Sequence, residues 1–120
     1  MKANYFIKPN ESGIFCGDDK IARIDSRSVA EAFGKEHSDV LDAIENLDCS
    51  EYFKNVNFDF YEHTDEDGRH YLCYTMTREG FTYLVNSYIK EEYAQIRKSL
   101  LALFNATEAL VNEKLSEKYT

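Results

Sequence analysis

The stretch "SRSVAEAFGKEHSDVLDAIENL", residues 26–47, limits the possible folds more than any other part of the chain. Val29, Ala30 and Phe33 recur at helical spacing behind a serine, Ser26, that can cap the first turn. Gly34 suits the left-handed position after the last turn. A second helical pattern starts near Glu36 and runs to about Leu47, gathering Val40, Leu41, Ile44 and Leu47 on one side with His37 beside them. Two short helices separated by two or three residues read as a helix-turn-helix.

The segments on either side fill in the architecture. "VNFDFYEHTDEDGRHYLCYTM", residues 56–76, holds two alternating aromatic stretches around Asp65-Glu66-Asp67-Gly68, the strongest hairpin signal in the chain. After a helix-turn-helix such a hairpin would be a wing. "GIFCGDDKIARI", residues 13–24, reads as a second hairpin around Gly17-Asp18-Asp19, and residues 1–12 lack periodicity and read as an arm. Thr77 caps a helix expected to reach about Ile89, with Phe81, Leu84, Val85 and Tyr88 at i, i+3, i+4 and i+7. From Glu91 to about Lys118 there is no breaker. Tyr93, Ile96, Leu100, Leu103, Thr107 and Leu110 form one apolar row, and Phe104, Val111 and Leu115 a second. A helix of that length extends ~40 Å at about 1.5 Å per residue, long for so small a domain. Part of it is expected to pack on a second copy as a homodimer.

The fold class expected is therefore α+β: a small winged helix-turn-helix-like domain with β-hairpins and a long C-terminal helix. One domain over 1–120 divides into arm and hairpin (1–24), helix-turn-helix (25–54), wing hairpin (55–76) and two helices (77–120). Composition agrees. The chain is 43% hydrophobic with one Pro and five Gly, which suits a globular domain better than linkers or low-complexity sequence. No apolar run reaches the ~18 residues that span a bilayer, and the first residues lack a signal peptide's apolar stretch. Cys16, Cys49 and Cys73 are odd in number and far apart, so no disulfide framework is expected, and the thiols should be reduced in a cytoplasm.

Charge is where the pattern departs from a nucleic-acid reader. The net charge is −8, and residues 25–54 hold three basic and eight acidic groups, net −5. On the second helix Glu36, Asp39, Asp42 and Glu45 spread across the half opposite the apolar side, with Asp48 and Glu51 extending the run. No Lys or Arg occurs from 36 to 53. DNA affinity comes largely from phosphate neutralisation by Lys and Arg, so this face repels the usual ligand of its motif. A solubilising face normally mixes both signs, and this one does not.

"IDSRSVAEAFGKEHSDVLDAIENL", then "NF", "YTMTREGFTYLV" and "FNATE", resemble the phage regulatory protein Rha family, from about Ile24 to Glu108. The matching positions include Ser26, Arg27, Val29, Phe33, Lys35, His37, Val40, Ile44, Asn57, Phe58, Thr77, Gly80, Phe81, Phe104 and Asn105. The resemblance implies a bacteriophage or prophage origin, action in the host bacterial cytoplasm, and a winged domain regulating phage development. Family members tend to carry basic residues in the second helix, where this chain has Glu36, Ser38, Asp42 and Glu45.

Three functions are compatible with these features. The first is a regulator or inhibitor that docks its carboxylates (Glu36, Asp39, Asp42, Glu45, Asp48, Glu51) on a basic nucleic-acid-binding surface of a host protein. A repressor, a restriction enzyme or a CRISPR effector has such a surface, and the mechanism would be DNA mimicry serving counter-defence. The second is a DNA-binding transcriptional regulator using Arg27, Lys35, Ser38, Asn46 and Arg69, helped by Lys20, Arg23 and Lys54. The third is an adaptor stabilised by a zinc-like metal at His63, His70 and Cys73. A four-residue loop at 65–68 would set the two histidines opposite each other, near Glu62 and Asp65. No CxxC or HxxxH spacing supports that site, so a solvated hairpin tip fits better. No nucleophile elbow, phosphate loop or divided carboxylate pair is present, so no enzymatic role is expected.

Overall fold

The computed structural model describes residues 5–118. Its strands and helices follow in the order β1 (Tyr5–Ile7), β2 (Ile14–Gly17), β3 (Ala22–Asp25), α1 (Ser26–Phe33), α2 (His37–Glu45), α3 (Glu51–Asn57), β4 (Phe58–Thr64), β5 (His70–Thr77), α4 (Arg78–Val85) and α5 (Glu91–Lys118). The five strands form one antiparallel sheet in the order β1-β2-β3-β5-β4. The class is α+β with a long C-terminal helix.

Register places the core on one face of this sheet. Ile14 pairs with Ile24, Ile24 with Met76, and Met76 with Phe58. Directly opposed residues share a face, so these four buried side chains make one apolar line across four strands. The helices cover that line with Val29, Ala30 and Phe33 from α1, Val40 and Ile44 from α2, Phe81, Leu84 and Val85 from α4, and Leu100 and Phe104 from α5. The burial of Leu100, Phe104, Thr107 and Val111 at steps of four, three and four marks the inner stripe of α5.

That stripe finds a partner within the chain. The helix lies across β1, β2 and β3 and against α1 and α4, so its apolar row is covered by the chain's own sheet. Leu110, expected in the row, is 41% exposed.

Other expectations shift locally. The N-terminal segment is not wholly an arm, because Tyr5–Ile7 adds an edge strand to β2. The cap of α1 is Asp25, whose carboxylate accepts from the Arg27 N–H; Ser26 is the first helical residue and fully buried. Gly34 ends α1 in the left-handed conformation, φ 63°, as its position implied. Helix α4 stops at Val85, and Ile89 is exposed. A third short helix, α3, stands where the helix-turn-helix was thought to run directly into the hairpin. It is capped by Ser50, which accepts from the Phe53 N–H at 3.0 Å. Its last residue, Asn57, is locked to α4. The Thr77 hydroxyl donates to Asn57 Oδ1 at 2.6 Å and accepts from the Gly80 N–H at 3.2 Å. A Cβ on Gly80 would lie 2.9 Å from the Asn57 carbonyl, so only glycine lets the two segments approach this closely.

The β4–β5 loop has five residues, 65–69, rather than four. Gly68 sits at φ 79°, and the Asp65 carboxylate accepts from the N–H groups of Asp67 and Arg69. One additional loop residue moves the register by one. Thr64 now faces His70, and His63 faces Tyr71. Because side chains alternate between faces, His63 and His70 point to opposite sides of the hairpin.

Candidate functional site

Two groups of polar side chains flank the turn between α1 and α2, and they behave in opposite ways. The first is a closed network on the sheet face away from the core. Asp25 ends β3 opposite Thr75, and Tyr61 lies opposite Cys73 on β4, so both present to that face. Arg27, in the first turn of α1, reaches back over them. Its Nε donates to Asp25 Oδ1 at 3.1 Å, Nη2 to the Tyr61 hydroxyl at 2.9 Å, and Nη1 to His63 Nε2 at 3.2 Å. The Tyr61 hydroxyl in turn donates to the Asp25 carboxylate. A guanidinium has only donors, so His63 accepts at Nε2 and keeps its proton on Nδ1. The hydrogen bond to Asp25 raises the Arg27 pKa further above its ordinary value. Burial first, and the Asp25 bond second, push the Tyr61 phenol well above its usual 10.0. Cys73 lies fully buried beneath them, its thiol shifted upward chiefly by that burial.

Ser26 and His37 extend the network into the helical layer. Strand β3 ends at Asp25, and the next ladder position on β5 is Tyr74. Its N–H donates to Ser26 Oγ at 3.0 Å, so a side-chain hydroxyl replaces the missing strand carbonyl. The same hydroxyl lies 2.8 Å from His37 Nε2 at the start of α2. The His37 ring meets Tyr71 edge-on, and Tyr71 in turn packs on His63. Burial lowers the His37 pKa below its ordinary 6.5, with Arg27 acting in the same direction and Asp25 against it.

The second group is open. Glu36, Asp39, Asp42, Glu45, Asp48 and Glu51 are all exposed, and none pairs with a cation or accepts a hydrogen bond through its side chain among the described residues. Glu36 occupies the N-cap position of α2 without a side-chain capping bond. Helix α2 buries Val40 and Ile44, half-buries Leu41, and turns its carboxylates outward. Ser38 is exposed among them, while Asn46 folds back to donate from Nδ2 to the Asp42 carbonyl at 2.8 Å.

The cations around this face are mostly occupied. Lys54 Nζ donates to the Glu45 carbonyl at 2.9 Å. Lys35 Nζ lies over the Tyr88 ring at 4.4 Å and the Tyr93 ring at 5.0 Å, a cation–π arrangement that packs α5 on the helical turn. Arg23 pairs with Asp19 at 2.7 Å, and Lys20 Nζ donates to the Asp18 carbonyl at 2.8 Å. Arg69, at the hairpin tip, is exposed and has no such partner among the described residues.

The structure does not bring the three expected metal ligands together. His63 is held by Arg27, and His70 faces away with Glu62 at 2.7 Å and the Thr64 hydroxyl at 2.9 Å. Cys73 is fully buried on the His63 side. No group of three His, Cys, Asp or Glu side chains that could hold a metal occurs among the described residues.

The model of the family described as phage regulatory protein Rha matches residues 24–109, most of the chain and all of both groups. The chain belongs to the phage regulatory protein Rha family. It is 33% identical over 98 residues to an uncharacterized 22.8 kDa protein of Salmonella phage P22, covering 79% of this chain and 48% of that protein. It is 32% identical over 97 residues to an uncharacterized protein of Haemophilus influenzae, covering 78% of this chain and 53% of that one. This Rha-family chain thus spans about half the length of the curated relatives it matches. No solved structure matches it. Among the described residues, no helix is long and apolar enough to cross a membrane.

Of the positions that carried the resemblance in the sequence, Ser26, Arg27, His37, Asn57, Thr77 and Gly80 fall in the closed network and the α3–α4 junction. Sequence reasoning overlooked Asp25 and Tyr61, the two partners that hold Arg27. The alternation of residues 59, 61 and 63 did signal a shared face, but their partner across the sheet depended on the hairpin register.

Proposed function

We propose that this Rha-family chain regulates phage development by binding a protein, using the outward carboxylates of α2 and their continuation to Glu51. The observation that carries the reading is the contrast in pairing. Among the described residues all six carboxylates are exposed and unpaired, whereas five of the six cations available for phosphate contact are engaged within the fold. Lys20, Arg23, Arg27, Lys35 and Lys54 each hold a carboxylate, a carbonyl or an aromatic ring. Releasing them toward DNA would give up those contacts, and DNA approaching α2 would meet unbroken negative charge. The fitting partner is a protein with a basic, nucleic-acid-binding surface, such as a repressor, a restriction enzyme or a CRISPR effector. Carboxylates there take the place of phosphates, with fast and salt-sensitive association.

The test compares the wild type with the variant Asp39→Lys, Asp42→Lys, Glu45→Lys. In a gel shift on random duplex at low salt, the wild type should bind weakly. In capture from a bacterial host extract, a partner should be retained at low salt, released at high salt and missed by the variant. Full capture by the variant removes the acidic face from the mechanism. The Arg69 guanidinium, exposed and without a partner among the described residues, keeps a second reading, DNA binding through the hairpin tip. Tight, salt-dependent duplex binding that Arg69→Ala abolishes would put that reading first.

A further inference from the structure

The two edges of the sheet are guarded unequally. At one edge β1 is three residues long, and its pairing with β2 shifts register between Tyr5 and Ile7. Lys20 and Lys114 place their ammonium groups 5.3 and 5.7 Å from the Phe6 ring, and α5 packs against the strand. Short length, irregular pairing and lysines are the devices by which natural sheets discourage another strand from adding.

The other edge has none of these. Strand β4 is seven residues long, pairs regularly with β5 at every position, and contains no Pro, Lys or Arg. At its start the Phe58 N–H is taken by the Lys54 carbonyl of α3; from Asp59 to Thr64, among the described residues, no hydrogen bond reaches the outer side of its backbone. Asp59, Phe60, Glu62 and Thr64 are exposed, and Phe60 is 72% exposed beside the Tyr74 ring. Residues 58–68 hold five carboxylates (Asp59, Glu62, Asp65, Glu66, Asp67) and no Lys or Arg. Among the described residues only Arg23, at 3.7 Å from Asp59, and His70, at 2.7 Å from Glu62, offset them.

We infer that the outer edge of β4 takes up an extended cationic segment of another protein as a sixth strand. Backbone groups of β4 supply the hydrogen bonds, and alternate side chains supply the selectivity. A second copy of this chain is the wrong occupant, because two β4 edges would bring like carboxylates together. Phe60 and Glu62 share one face of β4 and Asp59 lies on the other, so an antiparallel guest matches them with the order cation, any residue, apolar residue, cation. The apolar residue sits across from Phe60, and the flanking cations sit across from Glu62 and Asp59. This surface is separate from the α2 carboxylates and stands or falls independently of them.

The probe is an end-capped peptide, Thr-Lys-Thr-Val-Lys-Thr, titrated into the nitrogen-15-labelled full chain. Amide shifts should change along Phe58–Thr64, and the outward-facing amides there should exchange with solvent at least about tenfold more slowly when the peptide is bound. A peptide methylated on the backbone nitrogens that face β4 should lose binding. Asp59→Lys with Glu62→Lys should weaken it about tenfold or more, while the triple reversal on α2 leaves it intact. The proposal is overturned if the peptide does not bind at millimolar concentration, if the shifts centre on α2, or if the methylated peptide binds equally well.

Discussion

The network around Arg27 and the carboxylate row on α2 lie a few residues apart in the chain and treat charge in opposite ways. Asp25, Arg27, Tyr61, His63, Ser26 and His37 saturate one another, so that no buried side-chain polar atom among the described residues lacks a partner. Such groups tie α1, α2 and the hairpin into one geometry, since losing any member strands the rest. Glu36, Asp39, Asp42 and Glu45 do nothing comparable. They stand three residues apart along one helix, a spacing at which like charges repel by about 0.2–0.5 kcal/mol per pair. Charge that is paired inside the fold builds it; charge left unpaired outside is available to something else.

The comparison predicts a graded series of stability effects, strongest where several bonds meet. Asp25 serves as cap, ion-pair partner and acceptor at once, with its side chain 13% exposed. Asp25→Ala should destabilise by about 3 kcal/mol, combining loss of a cap with loss of charge-assisted bonds. Ser26→Ala should cost about 2 kcal/mol, because the fully buried Ser26 hydroxyl is the acceptor of the part-buried Tyr74 N–H. Arg27→Ala should cost only about 1–2 kcal/mol, since its side chain is 41% exposed and water screens the pair. Urea unfolding of the three variants checks the ranking. If Arg27→Ala proved the most damaging, Asp25 would not be the hub of the network.

How much of this was visible in the sequence depends on distance along the chain. Gly34, Thr77 and the long run after Glu91 act locally, and their roles are readable from a few neighbouring residues. Helix α3 was missed because its seven residues hold little periodic signal: of its apolar residues Tyr52 and Val56 are exposed and only Phe53 packs on the core, and the buried Asn57 is polar. Counting the hairpin loop as four residues reversed the faces of His63 and His70, and from that error came the metal site. The covering of α5 was hidden for another reason. An apolar stripe says that a face is buried, but not whether a sheet or a second copy buries it. Arg27 meets Tyr61 and His63 across 34 and 36 residues, and no local pattern foretells such a meeting.

A smaller effect should appear with pH. His37 is held below its ordinary 6.5 mainly by burial, so the unfolded chain binds a proton there more readily than the folded one. Its contribution to stability is therefore present above about pH 6.5 and is lost as pH falls through the depressed folded value. Urea midpoints of the wild type should fall between pH 7.5 and 5.5 by more than those of His37→Gln. The carboxylates titrate in both proteins, so the difference between the two slopes isolates the histidine. Equal slopes would mean that His37 is as free to charge inside the Ser26 contact as in water.

The smallest change, and the one that separates the two regions most sharply, is Asp42→Lys. Its carboxylate lies between Asp39 and Glu45 on the exposed face of α2 and accepts no hydrogen bond among the described residues. A lysine there turns two repulsive neighbours into two attractive ones, so the folded chain should gain about 0.5 kcal/mol. Were the row merely a solvated surface, binding of a basic partner would be unaffected and the substitution would simply be an improvement. If the row is a docking face, the same variant should be more stable and yet bind more weakly, with the loss greatest at low salt where the charges are least screened. Urea unfolding and partner affinity measured on this single protein therefore move in opposite directions under the proposal. A variant that is stabilised and binds undiminished would return the α2 carboxylates to the role of keeping the surface soluble.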